Sequence, residues 1–114
     1  MEALAKGDVV ILPFPFSDLS NTKIRPALVA ATLDGDDVIL CQITGEARVD
    51  NHSIFVSYKD FRRGSLSVSS MIRPNRLFTA DKSIIINKVA SLNSTKIEEV
   101  EKEMIKIFVS TPNR

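Results

Sequence analysis

The chain has 114 residues, of which 44% are hydrophobic and 25% are charged. This length fits one domain, and the composition is typical of a soluble globular protein rather than a disordered tail. The single cysteine excludes an intramolecular disulfide framework and favours a reducing compartment. Because no apolar run approaches the roughly 20 residues that cross a bilayer, we expect one cytoplasmic domain over residues 1–114 with no membrane partner.

The net charge of +1 conceals an uneven distribution. Residues 1–58 contain four Lys and Arg against eight Asp and Glu, residues 59–88 contain seven against two, and residues 89–114 contain four against four. If the basic residues of the middle stretch shared one face, they would neutralise several phosphates of a nucleic acid. If they were scattered, they would be ordinary solvated charge. These residues are Lys59, Arg62, Arg63, Arg73, Arg76, Lys82 and Lys88.

The first half of the chain predicts three strands. Residues 8–12 are rich in β-branched side chains, and we expect this strand to stop at the prolines that follow because proline cannot donate to a sheet ladder. Residues 17–23 are polar and predict an exposed loop. Two apolar runs, 26–32 and 37–43, flank an Asp-Gly turn signal, so we expect them to pair as an antiparallel hairpin.

The second half predicts further strands and then one helix. Short strand-like runs at 53–57, 67–77 and 84–89 are separated by turn residues. Together the strands predict a mainly β (α+β) fold, a small antiparallel barrel over about residues 7–90.

The helix is predicted over about residues 94–109, where Thr95 and Glu98 have capping-box spacing. Its apolar residues recur at intervals of three and four and form one stripe, which we expect to pack across the barrel. The stripe consists of Ile97, Val100, Met104 and Ile107.

Few side chains are suited to catalysis. The chain has one histidine, one cysteine and no Gly-rich phosphate loop. It therefore lacks the residues for most metal sites, catalytic triads and nucleotide-binding sites. His52 lies in a polar stretch, where an exposed loop histidine is commoner than a general base. Arg25 is restricted to extended backbone by Pro26, and beside a polar loop it could clamp phosphate through bidentate hydrogen bonds or simply cover the rim of the barrel. Thr44, considered by itself, is as consistent with an ordinary strand residue as with a functional one.

Several segments together resemble a known family. Gly7-Asp8-Val9-Val10, then a polar loop, then Arg25-Pro26-Ala27-Leu28-Val29 is similar to the opening of the PemK/MazF-like toxins. The resemblance continues through Ile43-Thr44-Gly45 and from Asp81-Lys82 to residues 88–92, so it covers nearly the whole chain. The chain departs from the family pattern in the loop 17–23, where Asp18 is the sole acid, and at Phe78, where many relatives carry an arginine.

The resemblance implies an SH3-like β-barrel that forms a homodimer, binds a cognate antitoxin protein, binds DNA as a complex with that antitoxin, and cleaves single-stranded mRNA at specific sequences. It implies cleavage without a metal or other cofactor: the ribose 2′-hydroxyl attacks the adjacent phosphorus and leaves 2′,3′-cyclic phosphate and 5′-hydroxyl ends. Arg25 and Thr44 are the catalytic residues that it implies. The residues expected to contact RNA are Phe16, Asn21, Lys23, Gln42, Gly45, Arg48 and Arg76.

Two other functions are compatible with such a barrel. It could be a non-catalytic module that binds RNA or a peptide through loops and strand edges. It could also be a toxin that acts on gyrase, resembling the CcdB type. The ends of any RNA product and a DNA supercoiling assay discriminate between these functions.

Overall fold

The computed structural model describes residues 3–15, 22–45, 50–67 and 69–114. Within these residues, the strands are β1 (Asp8–Pro15), β2 (Thr22–Thr32), β3 (Asp37–Thr44), β4 (Ile54–Val56), β5 (Phe61–Gly64), β6 (Ser70–Asp81) and β7 (Asn87–Leu92). Short 3₁₀ turns at Tyr58–Asp60 and Lys82–Ile84 precede β5 and β7, and the helix α1 (Ser94–Ser110) follows β7. The predicted class, mainly β with a C-terminal helix, is confirmed.

All these strands join one curled antiparallel sheet in the order β4-β6-β3-β2-β1-β7-β5. The predicted hairpin is formed by β2 and β3. At its turn Gly35 has a φ of 84°, in the left-handed region that favours glycine. The Leu33 amide closes the turn by donating to the Asp37 carbonyl at 3.2 Å.

β1 does not stop at the prolines, as we predicted, but continues through Pro13 to Pro15 and pairs with β2 along this whole length. On its other side, β7 pairs with β1 only as far as Ile11. The Ile11 carbonyl accepts from the Ile86 amide at 2.9 Å, so alternation along the strand directs the backbone groups of residues 13 and 15 to that same side. β7 begins at Asn87, opposite Ile11, and does not extend beside residues 13 and 15. The missing proline N–H groups therefore interrupt no ladder.

The later strands differ from prediction in their bounds and number. β6 runs on to Asp81, and β7 starts only at Asn87, because the Asp81 side chain caps the intervening 3₁₀ turn by accepting from the Ser83 amide at 2.8 Å. That amide also holds the pKa of the Asp81 carboxyl below its usual range. β5 was not predicted, since its Phe-Arg-Arg-Gly sequence lies at the sheet edge and lacks apolar alternation.

The sheet buries apolar residues on both faces. On the face covered by α1, the cluster consists of Val9, Leu28, Cys41, Ile43, Ile54, Val56, Ile72, Ala90, Leu92 and Val100, with Ile97 and Met104 packed against it. This confirms the packing of Ile97, Val100 and Met104 of the predicted helix stripe on the sheet, whereas Ile107 does not belong to the cluster. The opposite face, here called the pocket face, carries Val10, Leu12, Ala27, Val29, Val38, Leu40, Ala80 and Ile85, flanked by Phe14 and Phe78. Strand residues therefore alternate between two cores.

The start of α1 corrects our capping prediction. The helix begins at Ser94, but its N-cap is Asn93, whose side-chain oxygen accepts from the Lys96 amide at 2.9 Å. The capping box predicted at Thr95 and Glu98 is therefore wrong. Asn93 also donates to the Lys59 carbonyl at 3.1 Å, which ties the cap to the turn before β5. Nowhere in the described ranges is a helix long and apolar enough to cross a membrane.

The Gly7-Asp8 pair of the family motif has a structural role. Gly7 adopts a φ of 97°, and it donates to the Val29 carbonyl while its own carbonyl accepts from the Leu92 amide, both at 2.9 Å. The Asp8 carboxylate is 4% exposed. It accepts from the Ser91 hydroxyl at 2.7 Å and lies 3.7 Å from the Lys88 ammonium. The pair therefore joins β1 to β2 and β7.

Replacing Asp8 with alanine should lower the free energy of unfolding by about 2–4 kcal/mol, because Lys88 and the Ser91 hydroxyl would lose a buried charged partner. Urea unfolding at pH 7, followed by circular dichroism, measures this loss. Glu98→Ala, at an exposed position on α1, is the control and should change stability by less than about 0.5 kcal/mol. Equal effects of the two substitutions would contradict the structural role of Asp8.

Asn93→Ala should destabilise the protein by about 1 kcal/mol, the usual effect of losing an N-cap side chain. Thr95→Ala, at an exposed position in the first turn, should have almost no effect, since Thr95 does not cap the helix. The same urea titration compares the two variants. A larger loss for Thr95→Ala would show that the helix begins elsewhere.

Candidate functional site

Arg25 and Thr44 lie on neighbouring strands and on the same face of the sheet. Arg25 pairs with Leu12 of β1, whose side chain belongs to the pocket face. Two residues further along β2, Ala27 pairs with Gln42 of β3. The β2–β3 ladder ends at this pair, and the same register continued by two residues places Thr44 opposite Arg25. Since side chains alternate along a strand, Arg25, Gln42 and Thr44 all belong to the pocket face, where each is half-buried.

A cavity of about 230 Å³ opens on this face. Its lining residues are Phe14 of β1, Gln42 of β3, and Arg76, Leu77 and Phe78 of β6. The Phe14 and Phe78 rings meet edge to face, with centroids 5.2 Å apart and planes at 79°. Aromatic walls, an amide and a guanidinium together suit an unstacked base and its phosphate. The predicted contacts Gln42 and Arg76 are thus brought together here, and Lys23 is the cross-strand partner of Phe14.

Arg76 reaches the cavity because β6 bulges. Cys41 of β3 pairs with Leu77, and Ile43 pairs with Ile72, so the four residues 73–76 stand opposite Gln42 alone. A bulge of this kind bends the strand and redirects its side chains. The Cys41 thiol donates to the Arg73 carbonyl within the bulge at 3.0 Å. Burial raises the pKa of this thiol to about 12, so Cys41 is a structural donor rather than a nucleophile.

Asp50 is bonded to this bulge, and sequence reasoning missed it. Its Oδ1 accepts from the His52 and Ser53 amides, each at 2.8 Å, and its Oδ2 accepts from Arg73 Nη2 at 3.2 Å and Asn75 Nδ2 at 3.3 Å. The His52 amide is the first of several donors that hold the pKa of this carboxyl well below its usual range. An Asp two residues before an amide donor is a local turn signal, but nothing local indicates partners 23 and 25 positions away.

The basic residues of the stretch 59–88 are distributed over β5, β6, β7 and the two 3₁₀ turns, and at least four of them do not act together. Arg73 is 9% exposed and pairs with Asp50. Lys88 lies on β7, several strands away from β6 in the sheet, and pairs with Asp8. The Lys82 ammonium lies 3.5 Å from the Gly35 carbonyl at the hairpin turn. Only Arg76 of this group lines the cavity among the described residues.

The other predicted residues have varied positions. Gly45 follows β3 directly and is exposed. Phe16, Asn21 and Arg48 lie outside the described residues, as do residues 17–20. His52 is not simply an exposed loop histidine, because its Nδ1 lies 2.8 Å from Glu103 Oε2 of α1. In the described part of the chain, no group of three His, Cys, Asp or Glu side chains is arranged to hold a metal ion.

Comparisons with known proteins bear on the family and the fold of this chain. Over residues 5–108 the sequence matches the profile described as "PemK-like, MazF-like toxin of type II toxin-antitoxin system". No curated protein matches it by sequence. Among solved structures, MazE-MazF (Form-II) from Deinococcus radiodurans is similar, with a TM-score of 0.77, 18% identity, and coverage of 97% of this chain and 100% of that one.

Two mycobacterial structures are also similar. An endoribonuclease has a TM-score of 0.71 and 14% identity, covering 100% of this chain and 98% of that one. An endoribonuclease in complex with its cognate antitoxin has a TM-score of 0.68 and 13% identity, covering 98% of this chain and 100% of that one. At these identities the structures establish a common fold, whereas the profile match spans most of the sequence. The chain therefore belongs to the PemK-like, MazF-like toxin family of type II toxin-antitoxin systems.

Proposed function

We propose that this protein is a sequence-specific endoribonuclease toxin that cleaves single-stranded RNA without a metal ion. The observation that carries the proposal is the strand register, because it puts Arg25 and Thr44 on the same face as Gln42, which lines the cavity together with aromatic rings and Arg76. Membership of the toxin family supports it, as does the description of a structurally similar mycobacterial protein as an endoribonuclease.

The proposed reaction is transesterification within the RNA. The ribose 2′-oxygen forms a bond to the adjacent phosphorus, and the bond from that phosphorus to the 5′-oxygen of the next nucleotide breaks. The 2′-hydroxyl loses a proton and the departing 5′-oxygen gains one, so the products are a 2′,3′-cyclic phosphate and a 5′-hydroxyl. The nucleophile belongs to the substrate, and the protein chiefly positions it and stabilises charge. DNA resists cleavage because it lacks the 2′-hydroxyl.

Arg25 and Thr44 have separate roles in this reaction. The Arg25 guanidinium neutralises the negative charge that develops on the non-bridging phosphoryl oxygens, and its planar shape allows two parallel hydrogen bonds to them. The Thr44 hydroxyl donates one further hydrogen bond to such an oxygen. Arg25 projects from extended backbone before Pro26, in the paired part of β2, so its direction is restricted before substrate arrives.

The cavity supplies substrate binding in this proposal. An unstacked base would contact the Phe14 and Phe78 rings while the Gln42 amide bonds to its edge. Lys23 and Arg76 would bind flanking phosphates, and the exposed backbone of Gly45 allows close approach of the RNA. We also propose that Phe16, Asn21 and Arg48 contact the RNA.

The proposed partners follow from the family and from the similar structures. We expect a cognate antitoxin to bind this protein, since the protein belongs to a toxin family of type II toxin-antitoxin systems. A similar mycobacterial endoribonuclease was solved in complex with its cognate antitoxin. We also expect a homodimer that acts in the cytoplasm, where its mRNA substrate is present. The unpaired, buried Cys41 fits a reducing compartment.

Arg25→Ala should reduce the RNA cleavage rate by at least about 100-fold, the usual effect of losing a group that stabilises developing charge. The assay uses purified protein and RNA of mixed sequence in the presence of a chelator, with the product ends identified chemically. Arg62→Ala, an exposed position on the edge strand β5, is the matched control and should leave the rate unchanged. Undiminished cleavage by the Arg25 variant would refute its catalytic role.

The parent protein in the same assay decides between the proposal and the alternatives. Cleavage that stops in chelator would contradict metal independence. Tight RNA binding without cyclic-phosphate ends would indicate a binding module, and inhibition of DNA supercoiling without RNA cleavage would indicate a gyrase toxin.

Thr44→Val should lower the cleavage rate by about 100-fold, since valine keeps the shape of threonine but removes the hydroxyl that donates to the phosphoryl oxygen. Thr44→Ser keeps that donor and should retain most of the activity. Single-turnover rates on one RNA substrate compare the two variants with the parent. Equal rates for the valine and serine variants would mean that the hydroxyl has no part in the reaction.

A further inference from the structure

We infer that Asp50 is a positioning residue for Arg76, which it holds at the cavity through the β6 bulge and thereby makes available to an RNA phosphate. This inference rests on the proposed function, because it assigns the ligand of Arg76. Asp50 need not touch the substrate, and its effect is transmitted through Arg73 and Asn75.

The two oxygens of the Asp50 carboxylate bind different parts of the chain. Oδ1 accepts from the His52 amide at 2.8 Å, the Ser53 amide at 2.8 Å and the Ser53 hydroxyl at 3.0 Å. These bonds fix the segment that enters β4. Oδ2 accepts from Arg73 Nη2 at 3.2 Å and Asn75 Nδ2 at 3.3 Å. One carboxylate therefore joins the approach to β4 to two of the four residues in the β6 bulge.

The position of Arg73 makes this link important. Its side chain is 10% exposed, and its Nε has no hydrogen-bond partner among the described residues. A buried guanidinium that loses its counter-ion is strongly unfavourable and moves toward water. The Arg73 backbone is part of the bulge, where its carbonyl accepts from the Cys41 thiol at 3.0 Å. Movement of the Arg73 side chain would therefore displace the bulge itself.

Arg76 is the member of the bulge that reaches the cavity. It follows Asn75 directly, so both Asp50 contacts lie within three residues of it. It is exposed, and it pairs with no carboxylate in residues 3–15, 22–45, 50–67 or 69–114. The cation is thus available for an anionic ligand, and its backbone is held in place by Asp50.

The sign of the effect separates positioning from simple electrostatics. Asp50 is negatively charged, so removing its charge should by itself strengthen the binding of an anionic RNA. The positioning role predicts the opposite result, because Arg76 would leave its place at the cavity. Asp50→Asn is the suitable change, since asparagine keeps an oxygen for the His52 and Ser53 amides but loses the charge that pairs with Arg73.

The experiment measures binding of a single-stranded RNA oligonucleotide with 2′-O-methyl riboses, which cannot be cleaved, at several salt concentrations. Asp50→Asn should weaken binding by about tenfold and reduce the slope of log K against log salt by about 0.7, the share of one phosphate on a single strand. Arg76→Ala should show the same loss of slope. With unmodified RNA, the effect should be on KM more than on kcat.

Two further variants and one control complete the test. Asp50→Asn added to Arg76→Ala should cause no further loss, because both changes remove the same contact. Arg73→Met breaks the link without leaving an unpaired buried cation and should reproduce the loss of slope if Asp50→Asn fails to fold. Asp81→Asn is the control: that carboxylate, at the end of β6, also accepts a backbone amide, from Ser83 of the following 3₁₀ turn, but it lies at the hairpin end, and binding should be unchanged.

Binding by Asp50→Asn as tight as the parent's, or losses that add in the double variant, would overturn the inference while leaving the proposed function intact. A parent protein that binds the oligonucleotide but cuts no RNA would overturn the proposed function, and the salt slopes would still decide whether Asp50 positions Arg76. If the parent neither binds nor cuts RNA, both are overturned.

Discussion

The pairing of β2 with β1 on one side and β3 on the other determines where the cores and the site lie. This register puts Leu28 under the helix, and it puts Ala27 and Val29 on the pocket face. A slip of one residue would exchange the two faces and turn Arg25 toward α1. Since Leu28 pairs with Val9 on β1 and Cys41 on β3, all members of the helix-side core, the hydrophobic effect opposes that slip on both sides of β2. Core packing thereby fixes the position of Arg25.

The candidate site lies where the regular part of the sheet ends. Along β3, the pocket face changes from Val38 and Leu40, which are fully buried, to Gln42 and Thr44, which are half-buried. β2 shows the same change from Val29 to Arg25. At this end the β2–β3 ladder stops and β6 bulges around Gln42. Polar groups can be accommodated here because the sheet no longer packs closely, whereas the apolar cluster behind them keeps the strands rigid.

The residues of the family motif divide between folding and chemistry. Gly7 and Asp8 are buried and join three strands, so they keep β1 beside β2 and β7 without facing the cavity. Arg25 and Thr44 are the residues to which we assign chemistry. Asp50 lies outside the segments that resemble the family, yet its carboxylate joins the approach to β4 to the bulge that carries Arg76. In our proposal, the position of Arg76 thus depends on a residue that the family resemblance does not indicate.

The elements with local causes were predictable from the sequence. Asp-Gly between two apolar runs specifies the hairpin because the turn and both strands are contiguous, and the spacing of Ile97, Val100 and Met104 specifies the packed face of α1 because a helix repeats every 3.6 residues. The Pro26 restriction on Arg25 is likewise a neighbour effect. Two features were predicted wrongly. The helix is capped by Asn93 rather than by Thr95. The first strand continues through its prolines, because β7 does not extend beside them.

The remaining features were decided by tertiary structure. β5 becomes a strand only because β7 offers it an edge, and the bulge in β6 exists only against β3. The contacts of Asp50 with Arg73 and Asn75, and the meeting of Phe14 with Phe78, join residues far apart in the chain. Periodicity and backbone restriction act over a few neighbouring residues, so the sequence by itself determined the hairpin, the helix and the extended backbone of Arg25. Strand pairing acts between distant segments, and it alone placed Arg25 and Thr44 on the face where Gln42 and Arg76 line the cavity.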